Sequence, residues 1–141
     1  MAQDLKKRTK DFALRVIRLY SSLPSSTVAQ VIGKQVLRSG TRKAKLSQSS
    51  LDDDLRLRLC IGAHYREAYR SRSDAEFISK IEVALQELEE TIYWFELLIE
   101  SNLVSEKRLA NLLKEASELI AIFITSVKKV KQKRNLHKKT L

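Results

Sequence analysis

From Ile78 to Val127 the apolar residues recur at intervals of three and four. Ile78, Ile81, Leu85, Leu88, Ile92, Phe95 and Ile99 make one run, and Leu109, Leu112, Leu113, Ala116, Leu119, Ile120, Phe123 and Val127 make the next. On a helix that spacing gathers each run onto one side, whereas a strand would scatter it over both faces. A rod with one greasy side must cover it, so two such rods pack on each other and on further helices. The 141-residue chain holds only 3 Gly and 1 Pro, too few for a fold built on tight turns. Its length fits one domain. The expected class is all-α, an antiparallel up-and-down four-helix bundle with short connections.

The rods are punctuated where a bundle needs them to be. A first helix spans about Asp4 to Ser22, with Leu5, Phe12, Ala13, Val16, Ile17 and Tyr20 as its stripe. Pro24 in SSLPSST breaks it, and the Ser and Thr that follow are N-cap residues for the next helix. That second helix starts near Thr27, takes Val28, Val31, Ile32 and Val36 as its buried side, and weakens at Ser39. Gly33 marks a point where a neighbouring helix can come close. Ser73 and Glu76 form the S-x-x-E capping box of the third helix, and Ser105 caps the fourth after SNLVSE. Tyr93, Trp94, Ile122 and Ile124 are apolar but off the main stripes. A lone bundle needs one apolar face per helix, so these four are the expected oligomer interface.

Between the second and third helices lies GTRKAKLSQSSLDDDLRLRLCIGAHYREA, from Gly40 to Ala68. Ser50 before Asp52, Asp53 and Asp54 reads as a helix start, because carboxylates favour the positive end of a helix dipole. In the helix that follows, Leu51, Leu55, Leu59, Gly62 and Arg66 share one line, and Leu57 and Ile61 another.

Charge is unevenly spread. Residues 1–72 carry 16 Lys and Arg against 6 Asp and Glu, residues 73–127 carry 4 against 11, and residues 128–141 carry 7 against none. Acidic and basic helices set side by side would neutralise each other internally. Left outward, the basic surplus would offer a polyanion a cationic face. Both readings stand on the sequence.

Several stretches together resemble a known family. LKKRTKDFALRVIRLYSSLP resembles its first helix, VIGKQVLRSGT and GAHYREAYRSRSDAEFISKI the two ends of its second helix and the turn into the third, and ALQELEETIYWFELLIES and LLKEASELIAIF its third and fourth. The family is that of the four-helix-bundle proteins found as products of intervening sequences within bacterial 23S rRNA genes. The accessory variability proteins of diversity-generating retroelements have a related fold. The resemblance implies a barrel-like homopentamer with a basic surface, and its retroelement relatives bind nucleic acid and a reverse transcriptase. About eighteen residues, 42–60, are extra by comparison, and His64 stands where the family has Asn. A wholly helical insertion of that length would push one end of the second helix out by ~27 Å with nothing to pack on. A kink or loop that leaves the flanking halves in place is therefore expected, within a bundle of residues 1–127 followed by a basic tail, 128–141.

Catalysis finds little footing. The chain has no metal-ligand spacing, no Gly-rich phosphate loop and no serine with an evident base, and its one cysteine, Cys60, sits among apolar neighbours. Asp52 to Asp54 point in three directions on a helix. One enzyme alternative is Arg58 with His64, whose R-x5-H spacing is similar to that of HEPN-type ribonucleases, in which Arg steadies phosphate charge and His moves a proton. Six residues on a helix, however, leave the two about 120° out of line. The favoured reading is a non-enzymatic accessory or assembly factor that binds RNA or DNA backbone with low specificity and needs no cofactor or metal. Its contacts would be Arg15 and Arg18 on the first helix, Lys34 and Arg38 on the second, and Arg66, Arg70 and Arg72 near the second helix's end. Lys128, Lys129, Lys131, Lys133 and Arg134 would add a mobile cationic arm, in a tail that either extends the fourth helix or frays into solvent. A pure protein–protein scaffold is the alternative from another class, with Tyr93 and Trp94 as anchors. The N-terminus has no signal-peptide core and no apolar run reaches the ~20 residues of a membrane span, so a cytoplasmic protein is expected.

Overall fold

The computed structural model describes residues 2–39 and 60–140, with the backbone alone at residues 2, 3, 37–39 and 60. Its elements among these residues are five helices and no strand: α1 (Ala2–Ser21), α2 (Thr27–Ser39), α3 (Cys60–Tyr69), α4 (Asp74–Glu100) and α5 (Glu106–Lys139). The all-α class follows from them.

Helix α1 buries Phe12, Ala13, Val16 and Leu19. Thr9 is buried among them, and its hydroxyl donates to the Leu5 carbonyl at 2.9 Å, which satisfies the one polar group on that stripe. Ser26 caps α2, accepting from the Ala29 amide at 3.3 Å. The face α2 buries agrees with the expected one at Val36 and Ile32 and differs at Val28 and Val31. Ala29, Gly33 and Val36 are inside, while Val28 and Val31 are more than half exposed. The reason is the close crossing with α1. A Cβ on Gly33 would stand 2.6 Å from Leu23 Cδ1 and 3.0 Å from Tyr20 Cδ2, so only the small-residue side of α2 fits there.

On α3 the buried line is Ile61, Tyr65 and Ala68, with Tyr65 stacked on Phe123 of α5 at 5.8 Å. Gly62 is buried, and Arg66, one turn on, is exposed as a cationic contact must be. The rest of their expected line, Leu51 to Leu59, lies outside the described residues, as do Asp52 to Asp54 and nearly all of the 42–60 insertion.

Helix α4 begins as its capping box predicts. Ser73 Oγ accepts from the Glu76 amide at 3.1 Å, but Glu76 returns its carboxylate to the Arg72 amide, also at 3.1 Å, one residue before the cap. It ends in a Schellman turn. The Leu103 amide donates to Leu98 O at 3.0 Å and the Asn102 amide to Ile99 O at 2.9 Å, with Asn102 left-handed at φ 57°. Ser105 then caps α5 by accepting from the Arg108 amide at 3.3 Å.

Cross-helix contacts give the directions. Glu82, early in α4, meets Lys131, late in α5; Glu67, late in α3, meets Lys80, early in α4; Arg8, early in α1, meets Glu115 and Glu118 well along α5, whose start is met by Ser22. Each of these neighbours runs opposite to its partner. Thr9 packs at Gly62 and Tyr20 at Gly33, so α2 covers the far part of α1 and α3 its near part. Phe12, Phe95 and Phe123 sit in the shared core.

The basic tail is not a separate arm. Helix α5 runs through residue 128 without a break and continues to Lys139. Val127 and Val130 still pack on the core, α4 supports the far end through Glu82, and His137, Lys138 and Lys139 suit the negative end of the helix dipole.

Candidate nucleic-acid interface

Ion pairs decide which cations remain available. Arg8 is taken: its Nε lies 2.9 Å from Glu115 Oε1, and one Nη lies 3.0 Å from Glu115 Oε2 and 2.7 Å from Glu118. The hydrogen bond to Glu115 is the main cause that raises its pKa beyond the ordinary arginine value. Lys131 reaches Glu82 at 3.0 Å, and Lys80 reaches Glu67 at 2.7 Å. Among the described residues Arg15, Arg18, Lys34, Arg66, Arg70, Arg72, Lys128, Lys129, Lys133 and Arg134 make no ion pair. Among the described residues, internal neutralisation of acidic against basic helices is therefore confined to a few contacts. Arg66 is exposed while its neighbour Glu67 turns to Lys80 and His64.

Some of these cations line two clefts, while Lys34, Arg66, Lys128 and Lys129 are exposed on their helices and line neither. At one end of the bundle Asp74, the first residue of α4, faces Lys133, Arg134, His137 and Lys138 of α5 across an open cleft of about 280 Å³. Arg70 and Arg72 are exposed in the turn that leads into Asp74. This end, hereafter the basic pole, unites residues some sixty positions apart because α4 and α5 are antiparallel. Near the opposite end, Arg15 and Arg18 of α1 meet Arg108 and Asn111 of α5 around a second cleft of about 240 Å³. Sequence reasoning missed Arg108, His137 and Lys138. Arg108 sits in the acidic segment, where one arginine among glutamates looks like a solvated charge. Lys34 is exposed on α2 and lines neither cleft; Arg38 is on α2, with its side chain outside the described residues.

His64 lies in the seam between α3 and α4 and is mostly buried. Its Nε2 is 3.4 Å from Glu87 Oε1 and its Nδ1 3.6 Å from Glu67 Oε2. Hydrogen bonding to Glu87, more than the field of Glu67, raises its pKa, and Lys80 lowers that of Glu67. Both ring nitrogens thus face this chain's own carboxylates. Arg58, the other half of the HEPN-like pair, lies outside the described residues. No group of three metal-ligating side chains occurs among the described residues, and no helix there is long and apolar enough to cross a membrane.

Of the four expected interface residues, Tyr93 and Ile124 are exposed, with 53% and 40% of their surface open. Trp94 meets Tyr93 edge-on at 5.1 Å and is half-buried on the core. Ile122 is half-buried too, because it follows Glu115 and Glu118 along the row of α5 that faces α1.

The model of the 23S rRNA-intervening sequence protein family matches residues 47–125. A crystal structure from Bacteroides thetaiotaomicron, of a protein of unknown function in the S23 ribosomal protein family, is similar at 31% identity and a TM-score of 0.72. The likeness covers 91% of this chain and 99% of that one. No curated protein matches.

Proposed function

This chain belongs to the 23S rRNA-intervening sequence protein family, and on that premise we propose that it is a non-enzymatic accessory that grips the phosphate backbone of RNA or DNA with low sequence specificity. The observation that carries this reading is the basic pole. Lys133, Arg134, His137 and Lys138 line its cleft with Asp74, and Arg70 and Arg72 are exposed in the turn that leads into it. Exposed Lys and Arg side chains bind polyanions by releasing condensed counterions, which rewards charge and not base identity. Exposed Tyr69 stands beside Arg70, but Lys6 Nζ lies 4.2 Å over its ring, so base stacking contributes little there. Fluorescence anisotropy with oligonucleotides of unrelated sequence tests the reading. Affinities should agree between sequences and fall steeply from about 50 to 200 mM salt. Lys133→Glu with Arg134→Glu should abolish binding. No binding at low salt would overturn the proposal.

A second reading, a scaffold that assembles copies of itself, is favoured by the exposed Val28, Val31, Tyr93 and Ile124. The family resemblance makes that assembly a homopentamer. Light scattering tests it, since the monomer weighs 16.2 kDa, and a monomer at micromolar concentration would remove it. A role beside a reverse transcriptase would use the same backbone contacts, and a reverse-transcriptase gene next to this one would favour it.

A further inference from the structure

We propose that the cleft between α1 and α5 is a binding site for a phosphate monoester, the doubly charged group of a free nucleotide or of a polynucleotide end. Its walls carry Arg15 and Arg18 from α1 and Arg108 and Asn111 from α5, with Leu19 and Leu112 between them. None of the three arginines has a carboxylate within ion-pair distance among the described residues. The contrast along the same seam is sharp. The row of α5 that faces α1 presents Glu115 and Glu118 to Arg8, and both close on it. One turn earlier, where Arg15 and Arg18 stand, that row presents the neutral Asn111 and a further cation, Arg108. The acids stop where the cations converge. The Ser22 hydroxyl accepts from Arg108 Nη2 and steers that guanidinium against the end of α1.

Like charges repel, so an anion of matching charge would relieve the cluster. An internal phosphodiester has one charge and two free oxygens. A monoester has three free oxygens and about −1.5 to −2 charges at pH 7, one oxygen for each guanidinium fork, with the Asn111 amide as a further donor. The site shares no residue with the basic pole, so the two stand or fall separately.

Thermal melts of the full chain test it, run with inorganic phosphate or a nucleoside 5′-monophosphate against chloride of equal ionic strength. They are paired with binding of one oligonucleotide carrying either a 5′-phosphate or a 5′-hydroxyl. Asn111→Asp places a carboxylate among the arginines, so it should raise the melting temperature of the free protein while removing the response to phosphate. Arg108→Gln should remove the response without that rise. For the unsubstituted chain, phosphate and nucleotide should each raise the melting temperature. The phosphorylated oligonucleotide should bind about tenfold tighter than its hydroxyl twin, and equally in Asn111→Asp. A response to phosphate and nucleotide with no preference between the oligonucleotides supports the site and assigns it a free small molecule. No response to either, or an undiminished one in both variants, overturns it.

Discussion

Asp74→Asn should make this protein bind nucleic acid more tightly while making it slightly less stable. In the cleft of the basic pole Lys133, Arg134 and Lys138 stand around Asp74, a formal surplus of two. If each net charge displaces one counterion, that cleft gives the plot of log K against log salt on single strands a slope of about −1.4, from about −0.7 per phosphate neutralised. Neutralising Asp74 takes the surplus to three and the slope to about −2. At 0.1 M salt one further contact strengthens binding about fivefold, and on duplex, at about −0.9 per contact, about eightfold. The same carboxylate stands in the first turn of α4, where it favours the helix dipole, so its removal costs about 0.3–1 kcal/mol. Ser73 remains as the cap, so the fold persists. Anisotropy titrations at several salt concentrations, with a urea melt of the same preparations, read both effects. Unchanged or weaker binding by a variant that melts normally would refute the charge count, and with it the basic pole as the contact surface.

Four further outcomes follow from the structure. His64 has a raised pKa in the folded chain, so its contribution is complete below its ordinary value of 6.5 and is lost as pH rises through the folded value. Wild type should lose stability relative to His64→Asn above pH 6.5, by urea midpoints; parallel curves would refute the Glu87 contact. Glu67 works in the opposite sense: its pKa is lowered, so the stability it gains with Lys80 is present above its ordinary 4.5 and fades as pH falls through the folded value. Gly33→Leu should destabilise by about 1–2 kcal/mol, because overpacking against Leu23 and Tyr20 outweighs the ~1 kcal/mol that leaving glycine adds to helix propensity; a higher melting temperature would show that the crossing is loose. Asn102→Ala should cost about 1 kcal/mol at its left-handed φ, whereas Asn102→Gly should be neutral or better, by thermal melt.

The three–four periodicity of the apolar residues was enough to set the helical class, because burying a one-sided stripe is the main term that any fold of this chain must satisfy. Capping chemistry is equally local, so Ser73, Ser105 and the α4–α5 turn were legible with it. What α2 buries was legible only in part, at Ile32 and Val36. Val28 and Val31 look like core by hydropathy, but the close crossing at Tyr20 and Leu23 admits only the small side of that helix, and steric fit between helices is invisible to a pattern along one of them. Nor does a pattern along one helix show that Ile122 and Trp94, off the main stripes, are half-buried against this chain's own core.

Charge divides the same way. Composition by itself determined that cations are in surplus in the first half of the chain and at its end. Only the tertiary structure decided which of them stay unpaired, because Coulomb attraction acts through space over a few ångströms and register sets those distances. It closed Arg8 on Glu115 and Glu118, turned Arg66 away from Glu67, and brought Arg108, from a stretch that reads as acidic, to Arg15 and Arg18.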